Sequence, residues 1–226
     1  MQNFFIVIAF FGMVPSLACG QTSDLLIARK ANPLLLEIDF RVHHTLERNN
    51  LFWNTKVDDY VQFAPAIAAY TMKICKVESS NNVLNMTIMY GISNLLAGSI
   101  TSVTKKAVGR ERPDLSNHLS FPSGHTQTAF VAAEFLHQEF KNESVWISVG
   151  GYAAASFVGI ARIFNNKHWV SDVVVGAGIG ILTTKVVYWV YPRIKQSQRS
   201  KERSSFALII PEYSNGYVGV TFSARL

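Results

Sequence analysis

Apolar residues fill most of the chain in stretches parted by short polar segments. Phe4 to Val14 carries no charge and leads into Pro15 and then Leu17-Ala18-Cys19-Gly20. This pattern predicts a secretory signal peptide over residues 1–20, cut after the small pair Ala18 and Gly20, or an uncleaved first membrane helix. No Lys or Arg precedes the run, which keeps the second alternative open. Residues 21–56 form an amphipathic N-terminal segment. Within it Asn32-Pro33 is a break, and Leu35, Ile38, Val42 and Leu46 recur at helical spacing over Leu34 to Leu46. Such a helix lies in the membrane interface or packs on the body of the domain.

Five further helices are predicted. Val61 to Lys73 is short and carries Pro65; Val83 to Thr104 has no charged residue; Thr126 to Phe140 holds Glu134, His137 and Glu139 near its far end. Val145 to Ala161 is uncharged and rich in Gly and Ala, and Trp169 to Tyr191 is apolar except for Asp172 and Lys185. The second, fourth and fifth reach or approach the length of about 20 apolar residues that crosses a bilayer. Gly150, Gly151, Ala154, Gly176 and Gly180 allow close helix packing. Gly176 to Gly180 superficially looks like a nucleotide-binding glycine loop but lacks the strand-to-helix context, so helix packing is the expected role.

After Pro192 comes a basic run of Arg193, Lys195, Arg199, Lys201 and Arg203, expected as a linker or lipid-surface anchor over 193–205. Residues 206–226 read as a β-hairpin: Phe206 to Ser214, an Asn215-Gly216 turn, then Tyr217 to Ala224, with Pro211 marking an edge strand. The expected fold class is all-α, an antiparallel helical bundle over residues 57–192 embedded in a membrane, with five or six helices plus that short hairpin.

Composition narrows the function. Of 226 residues, 49% are hydrophobic and 16% charged, against roughly 25% charged in an average soluble domain. Disorder needs the opposite balance. Fourteen Gly and two Cys exclude a collagen-like or disulfide-built chain. Cys19 stands where a lipoprotein carries its lipid, but Ser16 occupies the position where a large aliphatic is usual. If the leader is cut, Cys75 alone remains and is expected as a small core residue. The net charge of +6 suits nucleic acid, an anionic membrane or a phosphorylated substrate. The basic residues gather at a few loop-like places rather than in a stripe, which excludes nucleic acid as the expected partner.

Three clusters at the ends of apolar runs carry chemistry. They are Lys105 with Arg112-Pro113, then Pro122-Ser123-Gly124-His125, then Arg162 with His168 and Asp172. Lys105, Arg112 and Arg162 are three cations matched only by Glu111 and Asp114. Guanidinium groups bind phosphate oxygens in pairs of hydrogen bonds. Ser123 is expected as a helix N-cap, where free N–H groups favour an anion, and Gly124 admits close backbone approach. His168 and Asp172 are four apart and share a helix face, so the carboxylate can fix the tautomer and leave the other nitrogen as nucleophile. His125 is suited to protonate a leaving oxygen. Together they predict a metal-free phosphatase without cofactor. His43, His44, His118 and His137 are read as surface, interface or helix-end residues.

The three clusters, in this order and spacing, resemble the type 2 phosphatidic acid phosphatase superfamily over roughly residues 57–191. The one departure is Ala161, where that family usually has Ser. The resemblance implies a helical bundle in which His168 is the nucleophile, Asp172 its partner and His125 the general acid. Lys105, Arg112, Ser123, Gly124 and Arg162 would hold the phosphoryl oxygens. The expected substrate is a membrane lipid phosphate: phosphatidic acid, phosphatidylglycerophosphate, a polyprenyl diphosphate or a lipid A phosphate. A broad-specificity exported acid phosphatase and a vanadium-dependent haloperoxidase are the alternatives. Motif positions at helix ends place the site on one side of the bundle. The basic tail falls on the other, so the site is expected to face the periplasm or exterior.

Overall fold

The computed structural model describes residues 33–203, 206–214 and 217–225. The leader, Cys19, the start of the 21–56 segment and the Asn215-Gly216 turn lie outside the described residues. Two compact units divide after Lys185. In the first, the helices are α1 (Pro33–Arg48), α2 (Val57–Val61), α3 (Ala64–Ile74), α4 (Val83–Val108), α5 (Gly124–Phe140) and α6 (Val145–Phe164), followed by the start of α7 (Val170–Arg203). The second holds the rest of α7 and strands β1 (Phe206–Ser214) and β2 (Tyr217–Arg225), paired antiparallel with Phe206 opposite Arg225.

The helix ends follow local chemistry. Asn82 caps α4 by accepting from the Asn85 N–H at 2.9 Å, and Gly109 closes it with φ 60°. Ser144 accepts from the Trp146 N–H to open α6. Pro65 sits in the first turn of α3, a position a proline tolerates because that N–H has no helical partner. The helix predicted over Val61 to Lys73 corresponds to α3, which starts at Ala64, and the short α2 before it was not predicted. The basic stretch expected as a linker is helical through Arg203, with Pro192 inside α7.

Helix α5 is central: eleven of its 17 residues are buried. Ala129 and Ala133 on α5 meet Ala155 and Val158 on α6 in a fully buried cluster, where the small side chains bring the backbones close. Helix α7 approaches α5 more closely still. A Cβ on Gly176 would stand 2.6 Å from the Ser123 carbonyl oxygen, and one on Gly180 2.6 Å from that of Gln127. Packing is therefore the use of these glycines. Gly150, by contrast, meets nothing.

Among the described residues, three helices are long and apolar enough to cross a membrane: α4, α6 and α7 over Val170–Ser197. Their outward faces are apolar, with Leu84, Leu95 and Val103 on α4, Trp146 and Ile160 on α6, and Val174 and Leu182 on α7 exposed. Such faces suit a lipid solvent. Helix α1 packs on the body rather than standing apart: Leu46 and Asp39 are buried, whereas Ile38 is exposed. Its inward face thus turns on Asp39, which the spacing of apolar residues does not reveal. Cys75 is exposed at the end of α3 and is not a core residue.

Candidate active site

One end of the bundle gathers the end of α4, the 109–123 loop, the start of α5, the end of α6 and the start of α7. The three motif clusters meet there. Lys105, in the last turn of α4, donates to the Leu119 carbonyl at 2.7 Å. Its Cε lies 3.9 Å from where a Gly124 Cβ would stand. Arg112 is fixed in the loop by its backbone N–H to the Asn117 carbonyl, while its buried Nε has no partner. Arg162, in the last turn of α6, also keeps an unpartnered buried Nε. Its charge reaches Arg112, His125 and His168. Native structures leave few buried donors unpaired. Two guanidinium donors in that state at one place can receive an anion.

Ser123 holds the N-cap position of α5 but makes no cap bond to the backbone. Its Oγ instead accepts from the Thr126 hydroxyl at 2.9 Å, one turn along. Its own N–H donates to the Asp172 carbonyl at 3.0 Å, tying α5 to α7.

His168 is 2% exposed. Its Nδ1 stands 3.5 Å from Asp172 Oδ2, an ion-pair separation, and makes no hydrogen bond. The expected His–Asp pairing is present but loose, because the carboxylate is already engaged. Asp172 Oδ2 accepts from the Ser120 hydroxyl and from the Trp169 N–H at 2.9 Å, and Oδ1 accepts from Arg110 Nη1 at 2.8 Å. The Trp169 bond is the backward half of a capping box, with Asp172 as third residue of α7. Asp39 of α1 does the same service two positions on, accepting from the Ser171 N–H at 2.8 Å. Arg110 joins the two carboxylates, with Nη2 donating to Asp39 Oδ2 at 2.8 Å.

His125, in the first turn of α5, shares a 2.8 Å hydrogen bond between Nε2 and Asp59 Oδ1. Arg162 is not unmatched, as the sequence suggested. Its Nη1 donates to Asp58 Oδ2 at 2.6 Å and lies 3.8 Å from Asp59 Oδ1. Asp114, counted above against the three cations, pairs with Lys167 at 2.6 Å. Sequence reasoning therefore missed Asp39, Asp58, Asp59, Arg110 and Ser120. One sign was available: Asp58-Asp59 are the only acids between Glu47 and Glu78.

Burial sets the protonation of both histidines. Desolvation pushes His168 down to about 4, with Asp172 opposing and Arg162 and Lys105 assisting. His125 is also lowered, first by burial and then by Arg162, while Asp59 and Asp58 pull it back up. Asp58, Asp59 and His125 present ligand atoms within 4.8 Å of one another. A cation could be held by such donors, but the Arg162 guanidinium already supplies positive charge between the two carboxylates. His118 is exposed in the loop, and His137 donates to or accepts from Ser148 far from this end.

Comparison with known proteins gives the same direction. The family model described as PAP2 superfamily matches residues 86–196, a stretch that holds all three clusters. Over these residues, about half of the chain, the sequence matches the PAP2 superfamily. The chain is similar to lipid A 1-phosphatase of Porphyromonas gingivalis, 40% identical over 139 residues, which are 61% of this chain and 31% of that protein. It is also similar to phosphatidylglycerophosphatase B of Bacillus subtilis, 32% identical over 126 residues, 50% of this chain and 60% of that one. The chain thus spans from about a third to three-fifths of these relatives' length. Aquifex aeolicus LpxE matches in structure with a TM-score of 0.49 at 20% identity, covering 69% of this chain and 94% of that one. With three candidate spans among the described residues and relatives of this kind, the chain is a membrane protein.

Proposed function

We propose that the chain is a membrane lipid phosphatase that removes a phosphate from a lipid headgroup through a phosphohistidine, without metal. The observation that carries this reading is the convergence of Lys105, Arg112 and Arg162 around His168, with two buried guanidinium donors unpartnered. The lipid preference rests on the apolar faces of α4, α6 and α7 beside that cradle, and on the names of the relatives. A lipid A 1-phosphate comes first among the candidate substrates because of the relative at 40% identity.

The roles follow from position. Lys105, Arg112, Arg162, Ser123 and the Gly124 N–H hold the phosphoryl oxygens, and their charges stabilise the transition state. His168, kept neutral by burial, attacks phosphorus through Nε2, since Nδ1 faces Asp172. The N–P bond forms as the bond from phosphorus to the lipid oxygen breaks. That oxygen leaves with the electron pair and takes a proton from His125. Water then attacks the phosphohistidine, giving its proton to neutral His125. Phosphate departs, and His168 is restored. The basic run from Arg193 lies at the far end of the last candidate span and just beyond it, and by the positive-inside tendency this favours a site on the exterior or periplasmic face.

The test is phosphate release by detergent-purified protein in excess EDTA, across a panel of lipid phosphates and a water-soluble aryl phosphate, with His168→Ala as control. Preference for a lipid, lost in the variant, supports the proposal. Equal turnover of the soluble ester points to a broad acid phosphatase. Release that persists in the variant, or no release, sinks the mechanism.

A further inference from the structure

Two adjacent acids, Asp58 and Asp59, reach the site from α2, a helix outside the matched family region. Their surroundings differ. Asp58 is fully buried and saturated: Oδ2 takes Arg162 Nη1 at 2.6 Å and Oδ1 takes Asn165 Nδ2 at 2.9 Å. Asn165 is held in turn by Thr55, donating to its carbonyl at 3.0 Å and accepting from its N–H at 3.2 Å. Helix α2 is thereby pinned to the end of α6. Asp59 is placed by that pinning and not by its own contacts. Its side chain is 44% exposed, and its Oδ1 meets His125 Nε2 at 2.8 Å.

We infer that Asp59 is a positioning residue for His125, fixing the ring through Nε2 and keeping a proton on it at the edge of the phosphate cradle. The catalytic meaning of this rests on the phosphatase reading above; the pairing itself does not. With Nε2 committed to the carboxylate, Nδ1 is the nitrogen that exchanges a proton with substrate. Asp59 acts on the reaction only through the ring it holds, as the carboxylate of a histidine–carboxylate pair does. The groups facing His125 are Arg162 from α6 and Asp58 and Asp59 from α2. Arg162 and burial both drive the proton off. Asp58 is neutralised at 2.6 Å by Arg162 itself. Among the described groups facing the ring, Asp59 is then the one that most favours the imidazolium.

A catalytic-site reading of Asp59 competes with two others. One is a purely structural carboxylate. The other is an internal anion that blocks the cradle, since its Oδ1 also lies 3.8 Å from Arg162 Nη1. One experiment separates them. Histidine-labelled protein in detergent is titrated by NMR, with the His125 signal assigned by His125→Gln, for wild type, Asp59→Asn and Asp59→Glu. Phosphate release from a lipid phosphate is followed on the same samples across pH.

The expected result is a His125 midpoint lowered by on the order of one pH unit in Asp59→Asn. The kcat falls by part of the roughly 10²–10⁴-fold that a general acid contributes, KM changes little, and the alkaline limb of the profile moves toward acid. Asp59→Glu recovers part of both. An unmoved midpoint overturns the inference, whatever the activity. So does a rise in kcat/KM, which marks a blocking anion. A shifted midpoint in a protein whose wild type releases no phosphate contradicts the phosphatase reading while upholding the pairing.

Discussion

The two histidines of the site sit on opposite terms with their carboxylates. On the α7 side, His168 is almost wholly buried and Asp172 is held by Arg110, Ser120 and the Trp169 N–H, so the ring stays 3.5 Å from it. On the α2 side, His125 is partly open and bonds at 2.8 Å to a carboxylate that solvent reaches. Burial favours the neutral ring where a nucleophile is needed. Access to water and a close carboxylate favour a ring that gains and loses a proton where an acid is needed. On the proposed reading, the same residue types divide two roles by environment, as sites that run both halves of an acid–base reaction do.

Exchanging the histidines breaks the comparison most directly. His168→Ala is expected to lower kcat on a lipid phosphate by on the order of 10⁴-fold or more, because no covalent route remains. His125→Ala is expected to cost roughly 10²–10⁴-fold, and much less on an aryl phosphate whose leaving group needs no proton. Equal losses on both substrates would argue against separate roles.

The next effect is on stability. Arg110→Met leaves Asp39 and Asp172 buried without their shared cation. Breaking such an arrangement costs about 3–5 kcal/mol, read as a lowered unfolding midpoint in detergent. Asp59→Asn, at an exposed carboxylate, is expected to stay within about 1 kcal/mol of wild type. A comparable loss in both would mean that the two sides are built alike.

Gly176→Ala tests the strap between them. The added methyl meets the Ser123 carbonyl at 2.6 Å, and Ser123 N–H holds the Asp172 carbonyl. Overpacking of this kind costs about 1–3 kcal/mol, with a fall in kcat, whereas Gly178→Ala, with nothing nearby, should be silent.

The smallest effect is the most diagnostic of environment. His168 must be neutral and gains its proton only near pH 4. His125 must be protonated, and its pKa lies below the ordinary 6.5. The kcat/KM profile should therefore peak on the acid side of neutrality, falling below about pH 4 and again as pH rises past the His125 value. Stability follows the His168 shift. An unfolded chain takes that proton near 6.5, so its contribution is intact above about 6.5 and lost as pH falls toward 4.

Much of this was legible in the chain because the clusters are local. Lys105 to Arg112, Ser123 to His125 and His168 to Asp172 each lie within one loop or turn, and helix periodicity places them at element ends. The helices α4, α6 and α7 were legible from length and apolarity. The partners of the site were not. His125–Asp59 spans 66 residues, Arg110–Asp39 71 and Arg162–Asp58 104. No local spacing encodes such pairs. Asp39 was hidden for a further reason: it is a lone acid within the apolar face of α1, at helical spacing from Leu35, Val42 and Leu46, where a pattern of apolar residues gives it no weight. The capping of Ser123 failed by one hydroxyl, since Thr126 competes for the same acceptor.

The division of labour between the two histidines is tested most directly by trapping the phosphoenzyme. Protein turning over an aryl phosphate is quenched in base, which preserves phosphohistidine, and the modified peptide is mapped by mass spectrometry. The account predicts phosphate on His168, absent in His168→Ala and still formed in His125→Ala. Phosphate on His125, or turnover with no phosphorylated histidine in any variant, would contradict it.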